Sequence, residues 1–316
     1  MQQILVITGP TASGKTGASI QVAKALGGEI VSADSMQIYR GMDIGTAKPT
    51  QDEMCGIRHH MLDVANPNEA YSVARYVDEA AICVDDILAH GKVPILVGGT
   101  GLYLDALLSG RYFAQSDDDK GLRDVLCARY DREGGQVLWE ELREIDPDAA
   151  ARLHVNDKKR VLRAIEVYRL TGETITAHNE KTQQITPRYH ALKIALDATS
   201  REALYRRIDQ RVDEMVERGL VSEVEALMQS GLCASDTAMQ AIGYKEVAAY
   251  ISGAIPFDAA IAQVKQESRR YAKRQLSWFR RDKTIHWIKW DDMPDVNIAR
   301  EIIMEKWTDF CLRGLD

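Results

Sequence analysis

Eight residues near the start of the chain, Gly9, Pro10, Thr11, Ala12, Ser13, Gly14, Lys15 and Thr16, follow the apolar run Ile4, Leu5, Val6, Ile7 and precede an amphipathic stretch over 18–26. Read as strand, loop and helix, this G-x-x-x-x-G-K-[ST] pattern is a phosphate loop, whose backbone N–H groups and following helix N-terminus point at phosphate oxygens. Lys15 is expected to reach the terminal phosphates and Thr16 to hold Mg²⁺. The motif commits the chain to a polyphosphate at the carboxyl end of its first strand and leaves open which one.

Further short apolar runs at 29–33, 93–97, 190–196 and 284–290 alternate with helical patterns such as 73–90. That alternation predicts an α/β fold, a P-loop core with a parallel sheet flanked by helices. Between 112 and 186 the strand signals stop, and helical patterns at 121–133, 136–145, 146–153 and 157–171 replace them. They predict an all-helical insertion domain over 113–187, bounded by the acidic run 116–120 and by Thr186-Pro187, within a core of 1–112 and 188–316. The chain after 190–196 reads as helical over 200–229 and 258–281.

A length of 316 residues, 45% hydrophobic and 28% charged, fits a soluble globular chain of about two domains. No apolar run approaches the ~18 residues of a membrane span, and the N-terminus lacks a signal-peptide pattern. Five scattered cysteines without a C-x-x-C pair argue against structural zinc and a disulfide framework. His59 and His60 are adjacent, a spacing that suits packing or hydrogen bonding better than a metal. The net charge of −7 argues against a nucleic-acid partner, but its distribution argues for one. Lys265, Arg269, Arg270, Lys273, Arg274, Arg280, Arg281 and Lys283 crowd one segment, and Lys158, Lys159, Arg160 and Arg163 another.

A nucleotide hydrolase on such a loop carries an apolar strand ending in an Asp that holds Mg²⁺. The run 93–97 instead enters Gly98, Gly99, Thr100 and Gly101. The only strand-end Asp the pattern offers near the loop is Asp34, leading into Ser35, Met36 and Gln37. Since ligands of open α/β sheets sit at the carboxyl ends of strands, Asp34, Thr100 and the loop should converge. There Asp34 is a metal ligand, a general base or a helix cap, and spacing leaves all three open.

The blocks GPTASGKT at 9–16, DSMQIYRGMDIGTAKP at 34–49, RHHML at 58–62, GGTGLY at 98–103, AIGY at 241–244 and RRYAKRQLSWFR at 269–280 resemble the bacterial tRNA dimethylallyltransferases, or tRNA isopentenyltransferases. The resemblance spans nearly the whole chain. It implies transfer of the five-carbon group of dimethylallyl diphosphate to N6 of the adenosine at tRNA position 37, with release of pyrophosphate. The loop then holds an allylic diphosphate, and the absent strand-end carboxylate is not a defect.

By the same resemblance Asp34 is the general base, Thr100 lies near the scissile oxygen unless its hydroxyl only steadies a turn, and Arg207 is favoured over Arg211 on the pyrophosphate. Asp34, Ser35, Met36 and Gln37 would read a flipped adenine. Other tRNA contacts implied are Thr100, Arg123, Lys159, Arg160, Val161, Leu162 and Arg163, then Gln240, Ala241, Ile242, Gly243, Tyr244 and Lys245, and then Lys273, Arg274, Gln275, Leu276, Ser277, Trp278, Phe279 and Arg280. On the last helix Val264, Tyr271 and Trp278 face away from Lys265, Arg269 and Lys273, an arrangement suited to stacking bases while neutralising phosphates. Mg²⁺ as cofactor, tRNA as partner, and a monomeric cytoplasmic enzyme without membrane or obligate protein partner complete the expectation. A P-loop small-molecule kinase would turn over ATP and leave the basic helix without a use. An adenylate isopentenyltransferase would need neither that helix nor the insertion, and a non-enzymatic RNA-binding module would not need the phosphate loop.

Overall fold

The computed structural model describes residues 2–110, 120–183, 185–291 and 293–313. In chain order they form β1 (Gln3–Thr8), α1 (Lys15–Leu26), β2 (Glu29–Ser32), α2 (Gln51–Met54), β3 (His59–His60), α3 (Val73–Ala89), β4 (Pro94–Gly98) and α4 (Gly101–Ser109). Then come α5 (Lys120–Glu133), α6 (Gly135–Ile145), α7 (Pro147–Arg152), α8 (Lys158–Thr171) and α9 (Ile175–Gln183). The chain continues with β5 (His190–Ala198), α10 (Arg201–Glu217), α11 (Leu220–Gln229), α12 (Tyr244–Ile251), α13 (Phe257–Phe279), β6 (His286–Trp290) and α14 (Val296–Arg313). They divide into two compact units, Met1–Leu108 with Arg188–Asp316, and Ser109–Pro187. The bound expected at 112/113 and the acidic residues 116–119 lie outside the described residues.

In the first unit six strands run parallel in the order β3-β2-β4-β1-β5-β6. A parallel sheet covered on both faces needs nearly continuous apolar strands, and β1 reads QILVIT for that reason. Ile4 and Val6 enter the core beneath α3 and α4, while Leu5 and Ile7 enter the one beneath α1 and α14, as the two-residue period of a strand requires. Each such side chain, fully buried, is worth about 2 kcal/mol.

The structure departs from the sequence reading in three places. The two-residue β3 adds an edge strand, pairing His59 and His60 with Ile30 and Val31; it is too short to show a period. His60 Nε2 lies 2.6 Å from Glu29 Oε2, and Lys92 Nζ donates to Glu29 Oε1 at 2.7 Å. The helical stretch 200–229 breaks at Gly219, whose φ of 101° starts α11 in a new direction. Helices α2, α4, α9, α12 and α14 lie outside the stretches read as helical.

The second unit, α5 to α9, packs around Leu126, Leu138, Leu142, Val161, Leu162 and Ile165. Val161 and Leu162 stand on the inward stripe of α8, and their side chains are buried in this core. Buried Glu166 lies 2.9 Å from Arg163 and 3.5 Å from Arg123 through Oε2, so it draws together arginines from two helices. Lys159 and Arg160 are exposed, Arg160 pairing with Asp157 at the helix start.

Candidate active site

The carboxyl ends of β1, β2 and β4 open on a cavity of about 510 Å³. Thr11, Ala12, Ser13, Gly14, Lys15 and Thr16 line it, and so do Asp34, Ser35, Met36 and Gln37 from the turn after β2. Arg211, Val212 and Met215 of α10, Gln240, Ala241, Ile242, Gly243 and Tyr244 before and at the start of α12, and Tyr271, Arg274 and Gln275 of α13 complete most of the wall.

Strand topology explains this convergence. β1 lies between β4 and β5, so the phosphate loop leaves the sheet centre while Asp34 leaves the next strand but one. The end of β4 has no room for side chains. A Cβ on Gly98 would lie 2.1 Å from the Ala33 carbonyl oxygen, on Gly99 2.1 Å from Gln275 Nε2, and on Gly101 2.3 Å from the Trp278 ring.

Within the loop, Lys15 Nζ donates to the carbonyls of Gly9 at 3.0 Å and Pro10 at 2.6 Å. Burial first, and then Arg211, bring its pKa down to about 7, with Asp34 pulling the other way. A cation held so far from its ordinary value lacks a counter-anion, and a diphosphate is one. Burial likewise lowers the pKa of Arg211, with Asp34 opposing, and Arg211 Nε is buried without a hydrogen-bond partner among the described residues.

The structure separates the two candidate arginines. Arg211 lines the cavity; Arg207 does not. Arg207 is buried beside Asp197, whose charge opposes the depression of its pKa by burial. Asp197, at the end of β5, also lies 3.5 Å from Arg280. It is a second strand-end carboxylate that the sequence reading passed over, although the run Ile194, Ala195, Leu196 before it was the available signal.

Asp34 Oδ1 accepts from the N–H groups of Met36 at 2.9 Å and Gln37 at 3.4 Å, an Asx turn, while Oδ2 accepts no hydrogen bond among the described residues. One oxygen thus holds the turn, and the residue lines the cavity. Thr100 stands behind this turn: Oγ1 accepts from Ser35 N–H at 3.1 Å and donates to Ser35 Oγ at 3.4 Å, and the residue does not line the cavity. Gln37 donates from Nε2 to the carbonyls of Thr46 and Ala47, both at 3.2 Å, and accepts from Ser32 Oγ. Its amide is engaged within its own loop.

On α13, Lys265 pairs with Asp213 and Arg269 with Asp209, both on α10, so these two of the eight clustered cations belong to a helix–helix seam. Lys273, Arg274, Ser277 and Arg280 remain exposed, whereas Gln275 and Phe279 are buried and Leu276 is packed inward. Trp278 donates to Asp105 Oδ2 at 2.9 Å. Tyr271, its pKa raised to about 12 by burial and then by Asp34, presents a neutral phenol to the cavity. Lys245 is exposed beside the wall formed by its neighbours.

Two hydrogen-bonded clusters that sequence alone did not single out hold the wall, one around an acceptor and one around a donor. Glu223 of α11 accepts from the N–H groups of Asp43 at 2.9 Å, Ile44 at 2.7 Å and Gly45 at 3.0 Å, and from the Tyr244 hydroxyl at 2.6 Å. Lys48, buried, donates to the Tyr39 carbonyl and to Asp43 and Asp63.

A family model described as IPP transferase matches residues 37–282. The chain belongs to this family. IPP transferases are enzymes that move a prenyl group, and tRNA dimethylallyl transfer is accordingly this chain's class of reaction. The chain is 47% identical over 292 residues to a tRNA dimethylallyltransferase of Acetivibrio thermocellus, covering 92% of this chain and 93% of that one. Among solved structures, the full-length tRNA isopentenylpyrophosphate transferase of Bacillus halodurans is 39% identical with a TM-score of 0.74, over 100% of both chains. A eukaryotic dimethylallyltransferase acting on tRNA is 31% identical with a TM-score of 0.80, over 92% of this chain and 75% of that one. The IPP transferase fold, a P-loop α/β core, is the fold described above. Among the described residues no helix is long and apolar enough to cross a membrane.

Proposed function

We propose that this chain transfers the dimethylallyl group of dimethylallyl diphosphate to N6 of the adenosine at tRNA position 37. The supporting observation is one cavity lined by the phosphate loop, Lys15 and Arg211 together with Asp34 and the apolar Met36, Val212, Met215 and Ile242. The diphosphate sits on the loop, the five-carbon chain lies against the apolar wall, and the adenine enters past Asp34.

As the allylic C–O bond breaks, negative charge grows on pyrophosphate, and loop N–H groups, Lys15 and Arg211 stabilise it. The N6 amine attacks the carbon, and Asp34 Oδ2 takes the proton that the new C–N bond makes acidic. An adenine stacked in an anticodon loop cannot reach this carboxylate, so the base is flipped out, at least cost from a single-stranded loop. Arg211 replaces Arg207 as the pyrophosphate ligand because only Arg211 reaches the cavity. Thr100 acts by holding Ser35.

Mg²⁺ fits as an ion carried by the diphosphate. Thr16 lines both the main cavity and a smaller one of about 200 Å³ that Glu53 and Glu214 also line, and no cluster of three or more acidic, histidine or cysteine residues stands among the described residues. That supply of few protein oxygens suits Mg²⁺, which keeps waters and substrate phosphates as ligands. When bound, it would neutralise the leaving pyrophosphate. Lys273, Arg274 and Arg280 on one unit, and Lys159, Arg160 with the Glu166-aligned Arg123 and Arg163 on the other, supply cations for the RNA backbone. A monomer in the cytoplasm is the working state.

The test is incorporation of a labelled dimethylallyl group into tRNA with adenosines 3′ of the anticodon, beside reactions offering AMP or labelled ATP. Label in tRNA alone is expected. Label in AMP, or phosphate released from ATP, would overturn the reading.

A further inference from the structure

One buried side chain joins three segments that the sequence kept apart. Gln275, 5% exposed, accepts from the N–H of Thr11 through Oε1 at 2.9 Å and donates from Nε2 to the carbonyl of Gly99, also at 2.9 Å. Its amide thus spans the phosphate loop and the end of β4 while its backbone belongs to α13. Gly99 must lack a side chain for this to happen. One turn later Trp278 repeats the device against Asp105 and Gly101, so α13 is fastened to the β4–α4 corner at two points.

The neighbours of Gln275 in sequence are exposed Arg274, which lines the cavity, and Lys273, exposed a further residue back. An RNA backbone held by these cations would fix the seat of α13. The Thr11 N–H would be fixed with it, because a buried amide with two partners cannot move without losing both. Thr11 opens the loop whose N–H groups receive the diphosphate, so ordering it in advance lowers the entropy that the second ligand must lose.

We infer that Gln275 is a positioning residue that couples the RNA-facing side of α13 to the diphosphate loop, making RNA and diphosphate bind with positive cooperativity. This rests on the reading of α13 as an RNA contact. Coupling between two ligands is reciprocal and typically about 5- to 150-fold.

The test titrates Mg²⁺-pyrophosphate into the full chain with and without a synthetic anticodon stem-loop, and the stem-loop with and without pyrophosphate. In the parent protein each ligand should tighten the other by the same factor, at least about fivefold. Gln275→Met, close in volume but unable to make either bond, should bring the coupling factor down toward one, whatever its affinity for the stem-loop alone. Gln275→Glu, which retains an acceptor for Thr11, should recover part of the factor; a lesion of folding alone would not discriminate between the two. A parent protein without coupling, or both variants with the parent's factor, would overturn the inference. Stem-loop binding without pyrophosphate reads the underlying assignment separately: its absence in the parent would remove both.

Discussion

Removal of the Glu223 carboxylate should destabilise the first unit measurably. The side chain meets four donors at 2.6 to 3.0 Å, three of them consecutive backbone N–H groups. A hydrogen bond to a charged group is worth about 1.5–3 kcal/mol, but water can reach the Asp43 N–H, which lies in an exposed setting. Counting two effective bonds, Glu223→Ala should lose about 3 kcal/mol, and Tyr244→Phe, which gives up one donor and keeps the ring, about 1 kcal/mol. In a domain of this size about 3 kcal/mol lowers the melting temperature by roughly 6–12 °C. Urea or thermal unfolding measures the loss. Because Gly45, Thr46 and Ala47 line the cavity, steady-state kinetics below the melting range should show KM for tRNA raised about tenfold and kcat changed little. A Glu223→Ala protein within 0.5 kcal/mol of its parent, with KM intact, would refute the claim that this carboxylate holds the wall.

Asp34→Asn, which keeps an acceptor for the turn but cannot take a proton, should lower single-turnover transfer by about 10² to 10⁴ with donor binding retained; near-normal turnover would remove the general base. Arg211→Ala should weaken pyrophosphate binding by at least tenfold, whereas Arg207→Ala should chiefly destabilise the fold by stripping buried Asp197 of a charge partner, and titration calorimetry with unfolding curves separates the two. Lys15 has a pKa of about 7 when its loop is empty, and a bound diphosphate raises it. The bound form therefore holds the extra proton above pH 7, and affinity should fall as pH rises from 7 toward 10, by up to tenfold per unit; calorimetry at pH 8 in buffers of different ionisation enthalpy should find close to one proton taken up, and none would refute it.

Local signals made much of this molecule readable. The phosphate loop has a fixed spacing, the central strands are apolar on both faces, and the insertion's helices carry their own caps, such as Asp146 before α7 and Asp157 before α8. The residues that fix the site are less visible because their partners are remote. Gln275 looks like one polar residue in a basic helix until Thr11 arrives from 264 positions away, and Glu223 like a solvated acid until the 43–45 backbone does. Arg207 and Arg211 stand four residues apart on α10, and that spacing cannot tell which of them meets Asp197 and which the cavity. The pairing of Lys265 and Arg269 was hidden in the same way, since their acidic partners Asp213 and Asp209 are on another helix.

The crowding at the end of β4 also limits what this chain can become. To turn its phosphate loop to ATP hydrolysis, descent by point mutation would need a metal-holding carboxylate on the strand beside the loop. At 98, 99 and 101 the space for even a methyl group is already filled by the Ala33 carbonyl, the Gln275 amide and the Trp278 indole, and on the opposite flank Asp197 is committed to arginines. A side chain added at any of these three positions would dislodge the corner beside the loop, so what the loop can be turned to is limited by its neighbours as well as by its own eight residues.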